Sequence, residues 1–319
     1  MKRHIGTLGA LGAALTVGAA VTMAAAQIGA QAPAPPSIIP PDSTRLVVLG
    51  TGTPNPDPER HGTSLAIVRN GKSYLVDAGV GLVRRANRMA EGGVPALGPT
   101  ELRIVFLTHL HSDHTLGLPD LILTPWVLER EVPLEVYGPP GTRAMVEHIL
   151  AAYDADIRNR IDGLQPANET GYKVNVHEIV PGEVFNDGNM RVTAIAVPHG
   201  DWKVAFGYRF DAADRSIVVS GDTRPSEDLV KACNGCDLLA HEVISEWGLS
   251  RRTADWQRYH RDAHTTTVQL AELGMRAAPK LLLLYHQLYS GTDDAGLLAE
   301  LRAAGFTRPL QSARDLAIY

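Results

Sequence analysis

Short apolar runs alternate with polar turns and amphipathic stretches from residue 45 to the end of the chain. Runs rich in Val, Ile and Leu that are bounded by Gly, Pro or Asn are typical of strands, and apolar residues at helical spacing are typical of helices. The predicted strands are Arg45–Leu49, Ser64–Val68, Ser73–Val76, Ile104–Leu107, Leu134–Val136, Val174–Ile179, Arg191–Val197, Ala205–Phe210, Ser216–Val219, Leu238–Ala240 and Leu281–Tyr285. The predicted helices are Gly81–Glu91, Thr142–Tyr153, Ser226–Cys233, Thr265–Arg276 and Leu297–Ala304. Because strands and helices mix in both halves, we expect an α/β sandwich with helices outside two packed sheets.

The first 43 residues differ in composition from the rest. Two basic residues precede an apolar run that ends in three alanines at 24–26, which is the pattern of a signal peptide with its cleavage site. We expect a signal peptide at 1–26, a Pro-rich extended tether at 27–43 and a folded domain at 44–319. An uncleaved membrane anchor is the alternative, because the run approaches the ~20 residues of a span. The expected location is periplasmic or secreted, with no stable membrane span once the leader is cleaved.

The chain of 319 residues is 45% hydrophobic and 20% charged, which is typical of a folded core and excludes a disordered chain. Its net charge of −5 argues against a general nucleic-acid binder, which normally carries a basic face. Cys233 and Cys236 are the only cysteines, so a disulfide-rich scaffold and a four-cysteine zinc site are excluded. Both lie at the C-terminal end of a predicted helix, where the dipole does not lower a thiol pKa. A structural disulfide or two buried thiols are therefore favoured over a redox pair.

Histidines cluster in the segment THLHSDH, residues 108–114, directly after a predicted buried strand. Three imidazoles and one carboxylate at this spacing suit Zn²⁺, which binds His nitrogen and Asp oxygen. If the backbone is extended, His109 and His111 project to the same face. Asp113 and His114 then lie at the turn and can reach a second ion. The segment therefore predicts a metal site.

This His-x-His-x-Asp-His run resembles the metallo-β-lactamase superfamily of two-metal hydrolases, and the resemblance runs from about residue 45 to the end. It implies an α/β fold of the four-layer αβ/βα sandwich type. The family's other ligands have matches at His199 in AVPHG, at Asp222 in VVSGDT and at His286 after a predicted strand. Asp77 matches a family residue that orders the ligands through hydrogen bonds. The implied ligands of the first ion are His109, His111 and His199, those of the second are Asp113, His114 and His286, and Asp222 and a hydroxide bridge the two.

Two such ions, ~3.5–4 Å apart, lower the pKa of bound water toward ~7 and so make a nucleophile at neutral pH. They also neutralise charge that builds on an attacked phosphorus, sulfur or carbonyl centre. Two divalent ions are therefore the expected cofactors. Zinc is the default metal, and the ligand types also admit manganese or iron.

A finer resemblance appears at His241-Glu242 and at His264-Thr265-Thr266. This layout is similar to the branch that contains ribonuclease Z, small phosphodiesterases and exported arylsulfatases. In that branch a Glu and a His at these positions form a relay that protonates the leaving group, and a carboxylate that orients an imidazole is a usable general acid. The resemblance thus implies Asp113, Glu242 and His264 as catalytic residues. The alternative gives Glu242 and His264 purely structural roles.

Ribonuclease Z carries a long glycine-rich arm between its third and fourth motifs, which grips tRNA. Here residues 200–221 separate those motifs, and predicted strands occupy most of them. Together with export and the negative charge, this predicts a small anionic ester substrate and no nucleic-acid partner. The segment 246–260 is the expected replacement, in which aromatic rings cover an aryl ester and Arg attracts its sulfate or phosphate. Its candidate substrate-binding residues are Trp247, Arg251, Trp256 and His260; the alternative is a packed surface loop.

Hydrolysis of sulfate or phosphate esters is the expected reaction, and arylsulfatase is the favoured activity. The alternatives are a phosphodiesterase of the ribonuclease Z type, a lactonase or β-lactamase, and a metal-binding module without activity. The intact ligand set argues against the last of these. The sequence leaves the oligomeric state open, and a homodimer is possible.

Overall fold

Two mixed β-sheets face each other in the computed structural model, which describes residues 38–319. The first sheet has the strand order β1-β2-β3-β4-β5-β6. Its strands are β1 (Arg45–Gly50), β2 (Ser64–Arg69), β3 (Lys72–Val76), β4 (Ile104–Phe106), β5 (Leu134–Gly138) and β6 (Val174–Glu178). The second sheet has the order β13-β12-β11-β10-β9-β8-β7. Its strands are β7 (Gly182–Asn186), β8 (Arg191–Ala196), β9 (Phe206–Asp211), β10 (Ser216–Val219), β11 (Leu238–Ile244), β12 (Leu282–Leu288) and β13 (Leu310–Ser312).

Helices flank both sheets. They are α1 (Leu82–Glu91), α2 (Ser112–Thr115), α3 (Leu118–Val127), α4 (Thr142–Ala152), α5 (Asp154–Asp162), α6 (Glu227–Cys233), α7 (Glu246–Ser250), α8 (Ala254–Ala263), α9 (Thr267–Ala277) and α10 (Asp294–Ala303), with short 3₁₀ turns at Pro95–Leu97 and Pro99–Glu101. Among residues 38–319, no helix combines the length and the apolar character that a bilayer span requires. The predicted leader and most of the tether lie outside the described residues, so export stays a prediction.

The alternation of side chains along the strands sets the layers. In β1, Leu46 and Val48 point into an apolar core between the sheets, whereas Val47 and Leu49 point to the opposite face. Helices α1, α3 and α4 cover that outer face, and α6, α9 and α10 cover the outer face of the second sheet. The predicted four-layer αβ/βα sandwich is therefore confirmed.

Strand direction gathers several loops at one edge of the sandwich. Strands β3 to β6 run parallel in one sheet, and β10 to β13 run parallel in the other. Residues that follow parallel strands meet at the carboxyl edge, which is where ligands bind in open α/β sheets. The histidine segment 108–114 follows β4, and Asp222 follows β10.

Several elements differ from the sequence prediction. Strands β7 and β13 and helices α3, α5, α7 and α8 were not predicted. Helix α3 is apolar on most sides and holds Pro119 and Pro125, so it lacks the periodic pattern of an amphipathic helix. The predicted strand Leu238–Ala240 continues to Ile244, and Leu281–Tyr285 continues to Leu288. The segment 246–260 forms α7 and most of α8.

Cys233 and Cys236 are joined by a disulfide at the end of α6. Both sulfurs belong to buried residues in the layer between α6 and the second sheet. Of the two alternatives that the sequence left open, the structure contains the disulfide.

Arg130 fixes the segments on both sides of the histidine run. Its side chain is buried, and its guanidinium donates to the carbonyls of Leu102 (2.9 Å), Leu121 (3.0 Å), Ile122 (2.9 Å) and Gly171 (2.9 Å). Leu102 precedes β4, and the next two acceptors lie in α3, which follows the histidines. Removal of this guanidinium would leave buried carbonyl oxygens without a hydrogen-bond donor. Each unpaired acceptor lowers the free energy of unfolding by about 1–3 kcal/mol.

We therefore expect Arg130→Met to lower the free energy of unfolding by more than about 3 kcal/mol, because methionine keeps the aliphatic stem and leaves the carbonyls unpaired. Chemical denaturation followed by circular dichroism measures this change. Arg143→Met is the matched control, since Arg143 is exposed and donates to a single carbonyl, that of Val176 (2.7 Å). A loss for Arg130→Met as small as that of the control would contradict this role.

Candidate active site

Ligand-type side chains from both sheets converge at the carboxyl edge of the sandwich. The set includes every metal ligand that the sequence predicted: His109, His111, Asp113, His114, His199, Asp222 and His286. Most of these side chains are buried, and His111 and Asp113 are partly exposed. The structure thus brings the predicted residues together.

Three imidazoles form the first group. His111 Nδ1 lies 2.9 Å from His109 Nε2 and 3.2 Å from His199 Nε2. The far nitrogen of His199 lies 2.7 Å from the carbonyl oxygen of Ala263, to which it donates. That bond leaves His199 Nε2 free to face the other two rings, an arrangement typical of metal-binding histidines.

Asp113, His114 and His286 form the second group. Asp113 Oδ2 lies 3.1 Å from His286 Nε2 and 3.5 Å from His114 Nε2. Asp222 Oδ1 lies 3.5 Å from His114 Nε2 and 3.3 Å from His286 Nδ1. Asp222 also comes within reach of His109, so its carboxylate lies between the two groups.

Asp77 orients the His114 ring through the ring nitrogen that faces away from the cluster. It follows β3 with a φ of 61°, and its carboxylate accepts from the backbone N–H of Thr108 (2.8 Å). His114 Nδ1 lies 2.8 Å from the same carboxylate. The opposite nitrogen of His114 therefore faces the cluster, which is the ordering role that the resemblance implies for Asp77.

His286 reaches the cluster from inside a strand, whereas the sequence placed it at a strand end. In the β11–β12 pair, Glu242 is opposite Tyr285 and Val243 is opposite Gln287, so His286 is the extra residue of a β-bulge. Its φ is 46°, in the left-handed region that a non-glycine residue rarely adopts. Such strained residues are concentrated at functional sites.

Glu242 and His264 lie together beside the cluster, as the sequence predicted. Glu242 Oε2 is 3.4 Å from His264 Nδ1, and Glu242 Oε1 accepts from the N–H of Thr265 (2.8 Å). Burial, together with the charge of Asp222, raises the pKa of Glu242 well above its usual range. Burial lowers the pKa of His264 to about 4. The two shifts favour a protonated carboxyl at Glu242 and an uncharged imidazole at His264.

A cavity of about 870 Å³ opens from the cluster to solvent. Helix α8 forms one wall, and the loop after β1 and the segment after β12 form another. Its lining outside the predicted ligands includes Thr53, Pro54, Asn55, Asp57, Arg60, Arg252, Trp256, Tyr259, His260, His264, Gln287, Tyr289, Ser290 and Gly291.

Two of the four predicted substrate-binding residues line this cavity, and two do not. Trp256 and His260 line it, because both project from α8. Trp247 and Arg251 are not among its lining residues, so their role stays a prediction. Trp247 lies near Gly291, where a Cβ would be 3.9 Å from its ring, and the guanidinium of Arg251 lies 4.8 Å from the Trp247 ring centroid.

Sequence reasoning missed several residues of the site. Arg60 lines the cavity, donates to Thr51 Oγ1 (2.9 Å) and lies 4.9 Å above the ring of Tyr289. Trp202 Nε1 donates to His111 Nε2 at 2.8 Å. The only sequence signal for Arg60 is its position after the turn that ends β1, at the same edge as the other strand ends.

Mycobacterial ribonucleases Z are similar to this chain. "Ribonuclease Z" of Mycobacterium sp. (strain KMS) is 35% identical over 276 residues, which cover 85% of this chain and 94% of the relative. So complete an alignment leaves no long additional arm in that relative. The absence of an arm between His199 and Asp222 therefore does not separate this chain from proteins named ribonuclease Z.

These relatives overturn two expectations. The favoured arylsulfatase activity is wrong, because the similar proteins are named for cleavage of RNA. The expectation of a small anionic ester substrate with no nucleic-acid partner is wrong for the same reason. The net charge misled because it sums the whole surface, whereas Arg60 and Arg252 lie at the cavity itself.

Solved structures share the fold. The metallo-β-lactamase fold protein YhfI from Bacillus subtilis aligns with a TM-score of 0.65 at 18% identity, over 87% of this chain and 100% of its own. Human tRNase Z, short form, aligns with a TM-score of 0.64 at 23% identity, over 86% and 98%. The Beta-lactamase superfamily domain matches residues 72–287. With the histidine segment, Asp222 and the Glu–His pair all at one edge, the chain belongs to the metallo-β-lactamase superfamily, in its ribonuclease Z-like branch, and is a metal-dependent hydrolase of ester bonds.

Proposed function

We propose that this protein is a binuclear, zinc-dependent phosphodiesterase that cleaves RNA. The observation that carries the proposal is the buried cluster of seven ligand-type side chains next to the Glu242–His264 pair. The names of its relatives support RNA as the substrate class. A cavity with arginines on two walls suits a polyanionic substrate.

The residues fit two metal ions. In a tetrahedral zinc site with Zn–N bonds of 2.0–2.1 Å, the ligand nitrogens lie about 3.3 Å apart. The separations of 2.9 and 3.2 Å in the first imidazole group approach this value. His114 Nε2, Asp222 Oδ1 and His286 Nδ1 are buried and have no hydrogen-bond partner among residues 38–319. Buried polar atoms rarely lack partners, and a shared cation satisfies all three.

Bound divalent ions supply two things here, a water of lowered pKa and charge to balance the attacked phosphate. Glu242 and His264 supply the proton for the leaving oxygen. As the bond from phosphorus to that oxygen breaks, His264 Nε2–H donates its proton, and the protonated Glu242 returns one to His264 Nδ1, 3.4 Å away. Burial and the charge of Asp222 raise the pKa of Glu242, which favours the protonated form that this relay uses.

The proposed function predicts a substrate order. Zinc-loaded protein hydrolyses RNA oligonucleotides and the minimal diester methyl p-nitrophenyl phosphate, and it leaves p-nitrophenyl sulfate, a lactone and a cephalosporin unchanged. Asp222→Ala lowers kcat on both diesters by more than about a hundredfold, because it removes the carboxylate between the two groups. Steady-state assays measure both effects, with Asp228→Ala as the matched control, because Asp228 is exposed on the first turn of α6. Full activity of Asp222→Ala, or sulfate hydrolysis without diester hydrolysis, would refute the proposal.

The relay predicts dependence on the leaving group. Glu242→Gln should lower kcat on RNA by about 10²–10⁴-fold, because an alkoxide leaves poorly without a proton. The same variant should lose less than about tenfold on methyl p-nitrophenyl phosphate, whose phenolate leaves without help. Parallel assays with both substrates measure this ratio. Equal losses on the two substrates would show that Glu242 holds the structure and takes no part in proton transfer.

The two groups of ligands bind protons differently in the metal-free protein. Burial lowers the pKa of His111 to about 4 and that of His109 well below its usual range, so both are neutral at pH 7. Burial also opposes protonation of His114 and His286, but the neighbouring carboxylates together outweigh it and raise the pKa of both. These are Asp222 and Asp77 at His114, and Asp222 and Asp113 at His286. A metal ion therefore displaces protons at the second group and few at the first.

On acidification we expect the second ion to leave at a higher pH than the first. Protons compete with a metal ion for ligands of raised pKa at a higher pH, whereas His111 binds a proton only near pH 4. Metal content after dialysis at stepped pH measures the order of loss, and calorimetry in two buffers of different ionisation enthalpy measures proton release. His286→Gln should retain one ion and show only the low-pH step. Loss of both ions in one step near pH 4 would contradict this assignment.

A further inference from the structure

Four neighbouring rings, of Trp256, His260, His264 and His286, lead from the surface of the protein into the cluster and are called the ring ladder below. Trp256 stacks on His260 (5.6 Å between centroids, 24° between planes), and His260 faces His264 (5.5 Å, 38°). His264 in turn stacks on His286 (6.1 Å, 22°). The first three rings lie four positions apart, with Trp256 in the first turn of α8, His260 in its last turn and His264 at its C-cap. This is the spacing that aligns side chains on one helix face.

The outer end of this ring ladder is open. Trp256 is 49% exposed, whereas His286 is 1% exposed. Tyr259 stands edge-on to Trp256 at 5.8 Å and also lines the cavity. A flat group that enters the cavity can therefore stack on Trp256 and extend the series of rings by one.

Cations accompany the exposed ring. The guanidinium of Arg252 lies 5.8 Å from the Trp256 ring centroid and lines the same cavity. Arg60 lines the cavity as well, where it is paired with Asp57 (3.8 Å) and Asp294 (3.2 Å), whereas Arg252 has no carboxylate partner among the described ion pairs. Aromatic rings that alternate with arginines are the usual binding surface for single-stranded nucleic acid.

We propose that Trp256 stacks against an unpaired base of the RNA on the leaving-group side of the scissile phosphate, and that Arg252 binds a phosphate of the same strand. The proposal rests on the proposed function. The side is assigned by His264, which donates to the leaving oxygen and lies between the cluster and Trp256 along the ring ladder. The RNA fragment that contacts Trp256 is therefore the one that carries the leaving oxygen.

The test compares two tryptophans of the same segment. Trp247 and Trp256 are 50% and 49% exposed, and each has an arginine over its ring, at 4.8 and 5.8 Å. Only Trp256 lines the cavity. Base stacking of about 1–3 kcal/mol predicts that Trp256→Ala raises KM for a single-stranded RNA oligonucleotide roughly 5- to 150-fold, with kcat within about threefold. Trp247→Ala should raise KM less than about twofold.

Two further measurements separate stacking from misfolding. Trp256→Phe should recover most of the affinity, because phenylalanine retains a ring; a Phe variant as weak as Ala would overturn the stacking. Fluorescence anisotropy of labelled RNA on zinc-loaded Asp222→Ala protein measures binding without turnover. There the added Trp256→Ala substitution should weaken Kd by the same factor as KM.

Abasic substitutions along the oligonucleotide test on which side of the scissile phosphate the stacked base lies. One abasic position on the leaving-group side should raise KM in the parent protein and should abolish the further effect of Trp256→Ala. Sensitivity only on the other side would overturn the assignment, and so would equal KM values for the Trp256→Ala and Trp247→Ala proteins. If the parent protein cleaves neither RNA nor methyl p-nitrophenyl phosphate, the proposed function itself fails, and the anisotropy measurement still reports on Trp256.

Discussion

Two hydrogen bonds between the sheets determine where the histidine segment lies. The backbone N–H of Phe206 donates to the carbonyl of Thr108 (2.8 Å), and the buried hydroxyl of Tyr208 donates to the carbonyl of Leu107 (2.7 Å). Both donors belong to β9, in the sheet that also carries the ligands of the other half of the cluster. The approach is so close that a Cβ on Gly221 would lie 3.0 Å from the Cβ of Thr108 on the other sheet. It would also lie 2.5 Å from the Phe206 carbonyl oxygen of its own sheet, and the φ of 61° favours glycine there. Everything that the site does depends on this spacing between two separately formed sheets.

The sequence was sufficient for residues whose role follows from local spacing. In the segment 108–114, local spacing alone predicted that the ligand-type side chains meet, because extended backbone and a following turn bring alternate side chains to one face. The bulge at His286 was not predictable, since it depends on how two distant strands pair. Helix α8 was accessible in principle, because residues 256, 259 and 260 have helical spacing, but their aromatic and basic character also fits a binding loop. Helix α3 offered no periodic signal, because its packing on several sides selects apolar residues all round.

The substrate class was the property that the sequence predicted least well. A ligand set determines which nucleophile forms and says little about what carries the phosphorus. Net charge averages over the whole surface, whereas a polyanion responds to the field at the cavity, where Arg60 and Arg252 lie. Without the long arm, this protein lacks one means of binding RNA. In the proposed complex, residues that line the cavity contact the strand directly.

Asp222 connects the two functions of the site. Burial would raise its pKa, but the charges of His286 and His114 outweigh burial and hold the pKa well below its usual range, so the carboxylate stays charged. Its negative charge is in turn the largest cause, after burial, of the raised pKa of Glu242. The carboxylate between the two ligand groups thus also favours the protonated form of Glu242. In the proposed mechanism, Asp222 therefore couples metal binding to proton donation electrostatically.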